Sequence, residues 1–180
     1  MTRRGLAEHD LALKADCESC CGLCCVAPFF PASKDFAFDK DAGVACPHLA
    51  GDFRCTLHHR LEAEGFRGCV VYDCYGAGQK VTQITFGRQD WSETPEIGES
   101  MFAVFMIMRQ IHELLMYLTE ALKLEAAQPL YGELQLRLDE LQRISLESAD
   151  SLRELDVVPH KRDVDALLLR VGGLVRAATS

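Results

Sequence analysis

The sequence predicts a mainly α protein, in which a cysteine-rich, irregular module packs against a small antiparallel helical bundle. Three observations lead there. All nine cysteines of the 180-residue chain fall between positions 17 and 74. Beyond Ile97, apolar residues recur every three or four positions, which is the helical period. Pro129 and Pro159 then divide that periodic stretch into three segments. Apolar residues make up 48 % of the chain, enough to build a core around such helices.

The elements follow in order. Asp10 to Lys14 reads as a short helical lead-in. Pro28 and Pro31 bracket Phe29-Phe30, a turn or extended pattern. Ala27 to Asp39 alternates weakly, as one strand would. Asp52 to Gly65 has helix character around Leu57 and Leu61, while Val70 to Tyr72 is too short to assign. Gly76 and Gly78 mark a turn, and Val81 to Phe86 alternates like a short strand. Thr94 before Pro95 suits a helix start. A first long helix should run from Ile97 to about Ala126 on a stripe that includes Phe102, Phe105, Met108, Ile111, Leu115, Leu118 and Leu122. A second should cover Leu130 to Leu155, weakened at Ser148 and Ser151. Pro159 breaks the chain again, and a third helix should run from Lys161 to about Ala177. Short connections favour antiparallel packing. The expected organisation is a module over 1–90 and a three-helix region over 96–177, packed as one compact unit.

Composition removes several classes of partner. The formal net charge is -8, which opposes broad contact with phosphate backbones or anionic lipid. No nucleic-acid or membrane partner is therefore expected. Arg3 and Arg4 are not followed by an apolar export segment. The longest uninterrupted apolar run, Met101 to Met108, is too short for a bilayer. The expected address is the cytoplasm, where thiols stay reduced. Crowded cysteines then point to metal rather than to disulfides, and the odd count of nine agrees.

The crowding is greatest at Cys17-Glu-Ser-Cys-Cys-Gly-Leu-Cys-Cys25. Cys17-x2-Cys20 and Cys21-x2-Cys24 are two overlapping CxxC units, with Cys25 appended. A CxxC turn lets two thiolates converge on one ion, and zinc takes four ligands tetrahedrally. With Cys46, Cys55, Cys69 and Cys74 downstream, the thiols exceed one such site. Two mononuclear sites or one bridged site would account for them, giving one or two ions per chain. Buried core thiols are the plain alternative for single downstream cysteines. Thioredoxin-like chemistry requires a βαβ setting that the pattern lacks. Cys17-x3-Cys21-x2-Cys24 has the spacing of radical-type [4Fe–4S] enzymes, but not their large barrel. A ferredoxin run would need a cysteine where Leu23 stands.

These motifs resemble a known family. The opening Cys17-x2-Cys20, Gly22 and Cys24-Cys25 is followed by "CPHL" at Cys46, "CTLHHR" at Cys55, and then Cys69 and Cys74. The pattern is similar to the YkgJ-type CxxCxxCC domains, zinc- or iron-chelating proteins. The resemblance implies the ligands Cys17, Cys20, Cys24, Cys25, Cys46, Cys55, Cys69 and Cys74. The opening is one residue longer than the commonest version, so Cys20 and Cys21 compete for one place. A resemblance over nearly the whole chain is to the N-terminal region of actinobacterial pentapeptide-repeat proteins. It rests on "GLCCV", "DFRC", "VYDCYGAGQKV" and the Phe86 to Trp91 stretch. The repeat tract itself is absent here, so the chain would be a shortened or standalone version.

Other residues add less. His48, His58 and His59 lie among the cysteines and, with Cys21, are further candidate ligands for zinc or iron. Exposed or hydrogen-bonded histidine is the plain alternative. His112-Glu113 lacks the second histidine of HExxH and reads as a core histidine. Met101, Met106, Met108 and Met116 read as packing rather than a copper site. "YGAGQKV" lacks the phosphate-loop order, though its Gln79 and Lys80 could line a pocket beside the metal. No catalytic set stands out, so no enzymatic role is expected. The expected function is zinc or iron binding for handling or sensing. A metal-stapled adaptor, whose helices anchor a pentapeptide-repeat partner, another protein or a second copy, is the alternative. An iron–sulfur redox protein is the third.

Overall fold

A computed structural model of the chain describes residues 13–179. Mainly helical structure is what it contains, and among the described residues there is no strand beyond two isolated bridges, Phe30 with Lys40 and Leu49 with Cys55. The described residues form seven α-helices: α1 (Leu23–Val26), α2 (Arg67–Val71), α3 (Ala77–Lys80), α4 (Gly98–Ala121), α5 (Tyr131–Ile144), α6 (Ala149–Arg153) and α7 (Val158–Ala178). The helical lead-in expected at Asp10 to Lys14 lies mostly outside the described residues.

Helix α4 is the centre of the bundle and packs against α5, α6 and α7. The expected stripe is there, shifted by a residue at its start. Met101, Val104, Phe105, Met108, Ile111 and Leu118 are all 0 % exposed, whereas Phe102 is only half-buried. By length and composition alone, Pro95–Ala121 would pass for a membrane span. Half of its most apolar window is buried inside the protein, the position of a core helix. The uninterrupted run of apolar letters understated this segment, because short polar interruptions hardly change its mean hydropathy.

The second expected helix is two helices. Helix α5 ends at Ile144, and the chain restarts when the Ser148 hydroxyl accepts the Ser151 amide at 3.2 Å. Serine competes for backbone groups in a helix interior and caps a new one readily. Pro159 does not break the third helix. It stands in the first turn of α7, where its missing N–H costs nothing. Bidentate Arg170–Glu133 and the Arg137–Asp163 pair at 3.0 Å tie α7 to α5 at the surface. Such exposed pairs add little stability.

The first part departs more from expectation. Val81 to Phe86 is not a strand. Val81–Thr85 continues α3 as a π-helical turn, so Val81 and Thr82 are both buried. A six-residue alternation is too short to separate the two periods. Ala27 to Asp39 meets only the Phe30–Lys40 bridge, and Asp52 to Gly65 is a series of turns rather than a helix. A small aromatic cluster orders this region. Phe30 stacks on Phe36 at 4.2 Å, and Phe66 meets Phe38 at 5.2 Å and His48 at 5.6 Å. Leu23, Ala77 and Val81 join the same core as α4, which seats the cysteine-rich part on the bundle.

His112 is the core histidine expected. It is 4 % exposed, and its Nδ1 lies 2.6 Å from the Tyr75 carbonyl, which makes Nδ1 the protonated nitrogen. Burial lowers its pKa to about 4.

Two outcomes follow from this packing. Leu118→Ala should cost ~2–5 kcal/mol by chemical denaturation, and Leu169→Ala, at 75 % exposure, less than ~0.5 kcal/mol. The neutral His112 ring contributes fully above pH 6.5 and loses its contribution as pH falls toward 4. Stability of the wild type should therefore drop across that window by up to ~3 kcal/mol more than that of His112→Gln. Parallel pH profiles would refute the buried neutral histidine.

Candidate metal centre

Seven of the nine cysteines lie at or around Cys24 of α1, and Cys55 joins them through Cys46 and Cys69. Charge on Cys24 acts on Cys17, Cys20, Cys46, Cys69 and Cys74, while Cys25 touches Cys24 directly. Helix α1 starts at Gly22, whose φ of +70° lets the chain turn sharply after Cys20-Cys21. Two successive residues in a short helix leave at different angles, yet the Cys24 and Cys25 thiols still meet in a hydrogen bond.

Backbone amides are aimed at several of the sulfurs. Gly22 and Leu23 donate to Cys20, Gly76 and Gly78 to Cys74, and His48 to Cys46. The first two turns are alike: a cysteine, then a left-handed glycine two residues on, then a helix. Around Cys74 the turn includes Tyr75 at φ +50° before Gly76 at +78°. A tyrosine in that region is strained. The strain is held by the Tyr75 amide donating to Asp73 Oδ1 at 2.7 Å, and by α4. Arg109 lies over the Tyr72 ring at 5.2 Å and donates to the Asp73 carbonyl, and His112 holds Tyr75, one turn further on.

Gly78 has a steric role. A Cβ there would lie 2.6 Å from Cys20 Sγ and 4.0 Å from Cys74 Sγ, so both thiols close on one piece of backbone.

Burial raises most of these thiols. It pushes Cys20 up to about 12 and Cys69 up to about 11, and neighbouring cysteine charges add to it. For Cys24 the hydrogen bond with Cys25 comes first and burial second. Cys24 keeps exposed surface, but protein atoms crowd it from the remaining directions, and that crowding governs the thiol. Among the described residues, positive charge near the thiols comes from the edges of the cluster. Arg54 acts on Cys17, and Lys40 lies beside Cys46 and Cys25. Lys40 is 3 % exposed, and its Nζ donates to the carbonyls of Val26, Asp41 and Val44 at 2.8–3.0 Å.

Cys21 is placed apart. It is 2 % exposed, its Sγ lies 3.3 Å from Thr82 Oγ1 and 3.5 Å from Met101 Sδ, and Trp91 Nε1 donates to its carbonyl at 2.8 Å. It is core, with its back to the other thiols. His48 packs edge-on against Phe66 in the aromatic cluster, and His58 and His59 are exposed. Among the described residues, no three cysteine, histidine or carboxylate groups already surround one point at ligand distance. The thiols are gathered without forming a finished coordination shell.

The donor set fits a thiophilic ion. Amides directed at sulfur stabilise thiolates, and the Tyr72 hydroxyl, beside Cys24 and Cys74, is buried with no partner among the described residues. Arg109, Lys40 and Tyr72 went unnoticed in the sequence. The only hint was the three-residue spacing of Arg109 and His112 on one helix face.

A 550 Å³ cavity borders this region, between α3, α4 and α5. Gln79, Lys80 and His112 line it, beside the loop that carries Cys74.

Comparison with known proteins adds one relative. The chain is 47 % identical over 165 residues to the uncharacterized protein YybG of Bacillus subtilis (strain 168). The match takes in 92 % of this chain and 59 % of the relative, so the chain spans less than two thirds of that protein's length. No family model matches the chain, and no solved structure matches it.

Gly78→Ala should lower stability by ~1–3 kcal/mol, because Cys20 must leave its position. Gly132→Ala, with open space around it, should be neutral or stabilising by up to ~1 kcal/mol. Equal effects on the denaturation midpoint would show that the Gly78 contact with Cys20 is not confining.

Proposed function

We propose that the chain binds zinc or iron through clustered cysteine thiolates, for metal handling or sensing, as in the YkgJ-type domains whose motif it resembles. The observation that carries this reading is the sorting of the nine thiols. Cys24 lies within electrostatic reach of Cys17, Cys20, Cys25, Cys46, Cys69 and Cys74, and Cys55 within reach of Cys46 and Cys69, while Cys21 is buried in the core against Thr82 and Met101. Thiols that merely fill space have no need to lie within one another's electrostatic reach. The ligands are Cys17, Cys20, Cys24, Cys25, Cys46, Cys55, Cys69 and Cys74. A bound ion would supply the positive charge that the interior of the cluster lacks, and its affinity would become folding stability for the turn-rich region. Zinc suits closed thiolate sites without a redox partner. His48, His58 and His59 have no place in this ligand set.

The adaptor reading draws on a different observation. The bundle leaves Leu136, Leu169 and Val158 more than 70 % exposed. Such residues on α5 and α7 suit a protein partner or a second copy, with the metal as a staple.

Elemental analysis of anaerobically purified protein tests the first reading. Bound zinc or iron is expected in the wild type, reduced in Cys24→Ser and Cys25→Ser and unchanged in Cys21→Ser. A metal-free wild type whose folded-state thiols all react freely would end the proposal. A brown protein with visible absorption and acid-labile sulfide would replace it with an iron–sulfur centre.

A further inference from the structure

The geometry points to two separate ion sites within the cluster, each of four thiolates: Cys17, Cys20, Cys24 and Cys74 for one divalent ion, and Cys25, Cys46, Cys55 and Cys69 for a second. This inference rests on the metal-binding reading and extends it, by assigning every ligand to one of two ions.

The first set is built from two pieces of chain that are stitched together. Cys20 and Cys74 flank the Gly78 backbone. The segment before Cys17 is tied to α3, because the Asp16 amide donates to Gln79 Oε1 at 3.0 Å and Gln79 Nε2 donates to the Lys14 carbonyl at 2.7 Å. Gln83 Nε2 adds a bond to the Ser19 carbonyl at 2.9 Å. Residues 14–24 and 74–83 are therefore one unit, and it carries four clustered thiols.

The second set is linked through other contacts. The Cys46 amide donates to the Cys25 carbonyl at 2.9 Å. Leu49 and Cys55 form a bridge, and the Thr56 amide donates to the His48 carbonyl at 2.9 Å, which brings the Cys46 and Cys55 turns side by side. The His48 ring packs on Phe66, and the Cys69 amide donates to the Phe66 carbonyl at 3.0 Å. The aromatic cluster thus delivers Cys69 to the Cys46 side.

Electrostatic neighbours divide in the same way except at Cys24, which acts on Cys46 and Cys69 as well as on Cys17, Cys20 and Cys74 and meets Cys25 in a hydrogen bond. Cys17 feels Cys24 and Cys74, whereas Cys69 feels Cys24, Cys46 and Cys55. Cys24 stands at the junction, and Cys25, next in the helix, turns toward Cys46 and Lys40. Four thiolates around one dication remain net negative. The buried Lys40 offsets that charge on the second site, and the unpartnered Tyr72 hydroxyl can donate to sulfur on the first.

Metal counting combined with thiol footprinting tests the partition. Wild type, Cys20→Ser and Cys69→Ser are loaded anaerobically with zinc, counted for ions per chain, and alkylated while folded. Mass spectrometry then identifies the reactive cysteines. Two zinc ions are expected in the wild type and one in each variant. Cys20→Ser should expose Cys17, Cys24 and Cys74 and protect the second set, and Cys69→Ser should expose Cys25, Cys46 and Cys55 and protect the first. Cys74→Ser and Cys46→Ser repeat the comparison if either variant loses its helical circular dichroism. One ion in the wild type, mixed protection, or loss of both ions with Cys24→Ser alone (a shared thiolate) would overturn the partition and leave metal binding standing. No ion in the wild type would overturn both.

Discussion

Met101, Phe105, Met108, Ile111 and Leu118 give helix α4 an apolar surface that is unfavourable in water, and elements from both halves of the chain cover it. Helices α5, α6 and α7 cover it from one half of the chain. Leu23, Ala77 and Val81 reach it from the other. The cysteine-rich region has little regular structure of its own, and this shared core is what gives it a fixed seat. Its own aromatic cluster is small, so its order depends on where it meets α4.

The meeting point is held by two side chains of α4. Arg109 and His112 grip the Tyr72–Tyr75 segment, and that grip sustains a left-handed tyrosine beside Cys74. The same strand of contacts leads from α4 through the loop to the thiols and to the cavity lined by Gln79 and Lys80. Cys20 and Cys74 close on the Gly78 backbone, and Cys21 lies in the core against Thr82 and Met101. One-residue steps along Cys20-Cys21 therefore separate a sulfur of the cluster from a core thiol. Gly22 makes the turn that allows it.

Serine and proline acted according to context rather than identity. Ser148 ended one helix and capped another, because its hydroxyl could take the Ser151 amide. Pro159 was compatible with a helix because it fell in the first turn. Val81 to Thr85, with a short ambiguous pattern, followed the helix already started at Gly76 instead of pairing as a strand. In each case a neighbour that is already folded decided between two local options.

The sequence by itself determined the helical character of the second half, because the 3.6-residue period persists over many turns at Met108, Ile111, Leu115 and Leu118. It also determined the concentration of thiols before residue 75, and the core role of His112 could be read from its place beside the stripe. Only the tertiary structure decided that Cys21, not Cys20, turns inward, since both satisfy the same spacing and differ only in which face of the turn meets Thr82. The roles of Lys40, Tyr72 and Arg109 also emerged only there. Lys40 binds three carbonyls, and Tyr72 and Arg109 meet across 37 residues of chain. Neither arrangement leaves a periodic trace in the sequence, because contacts made by chain reversal depend on where the loops close rather than on which residues are adjacent.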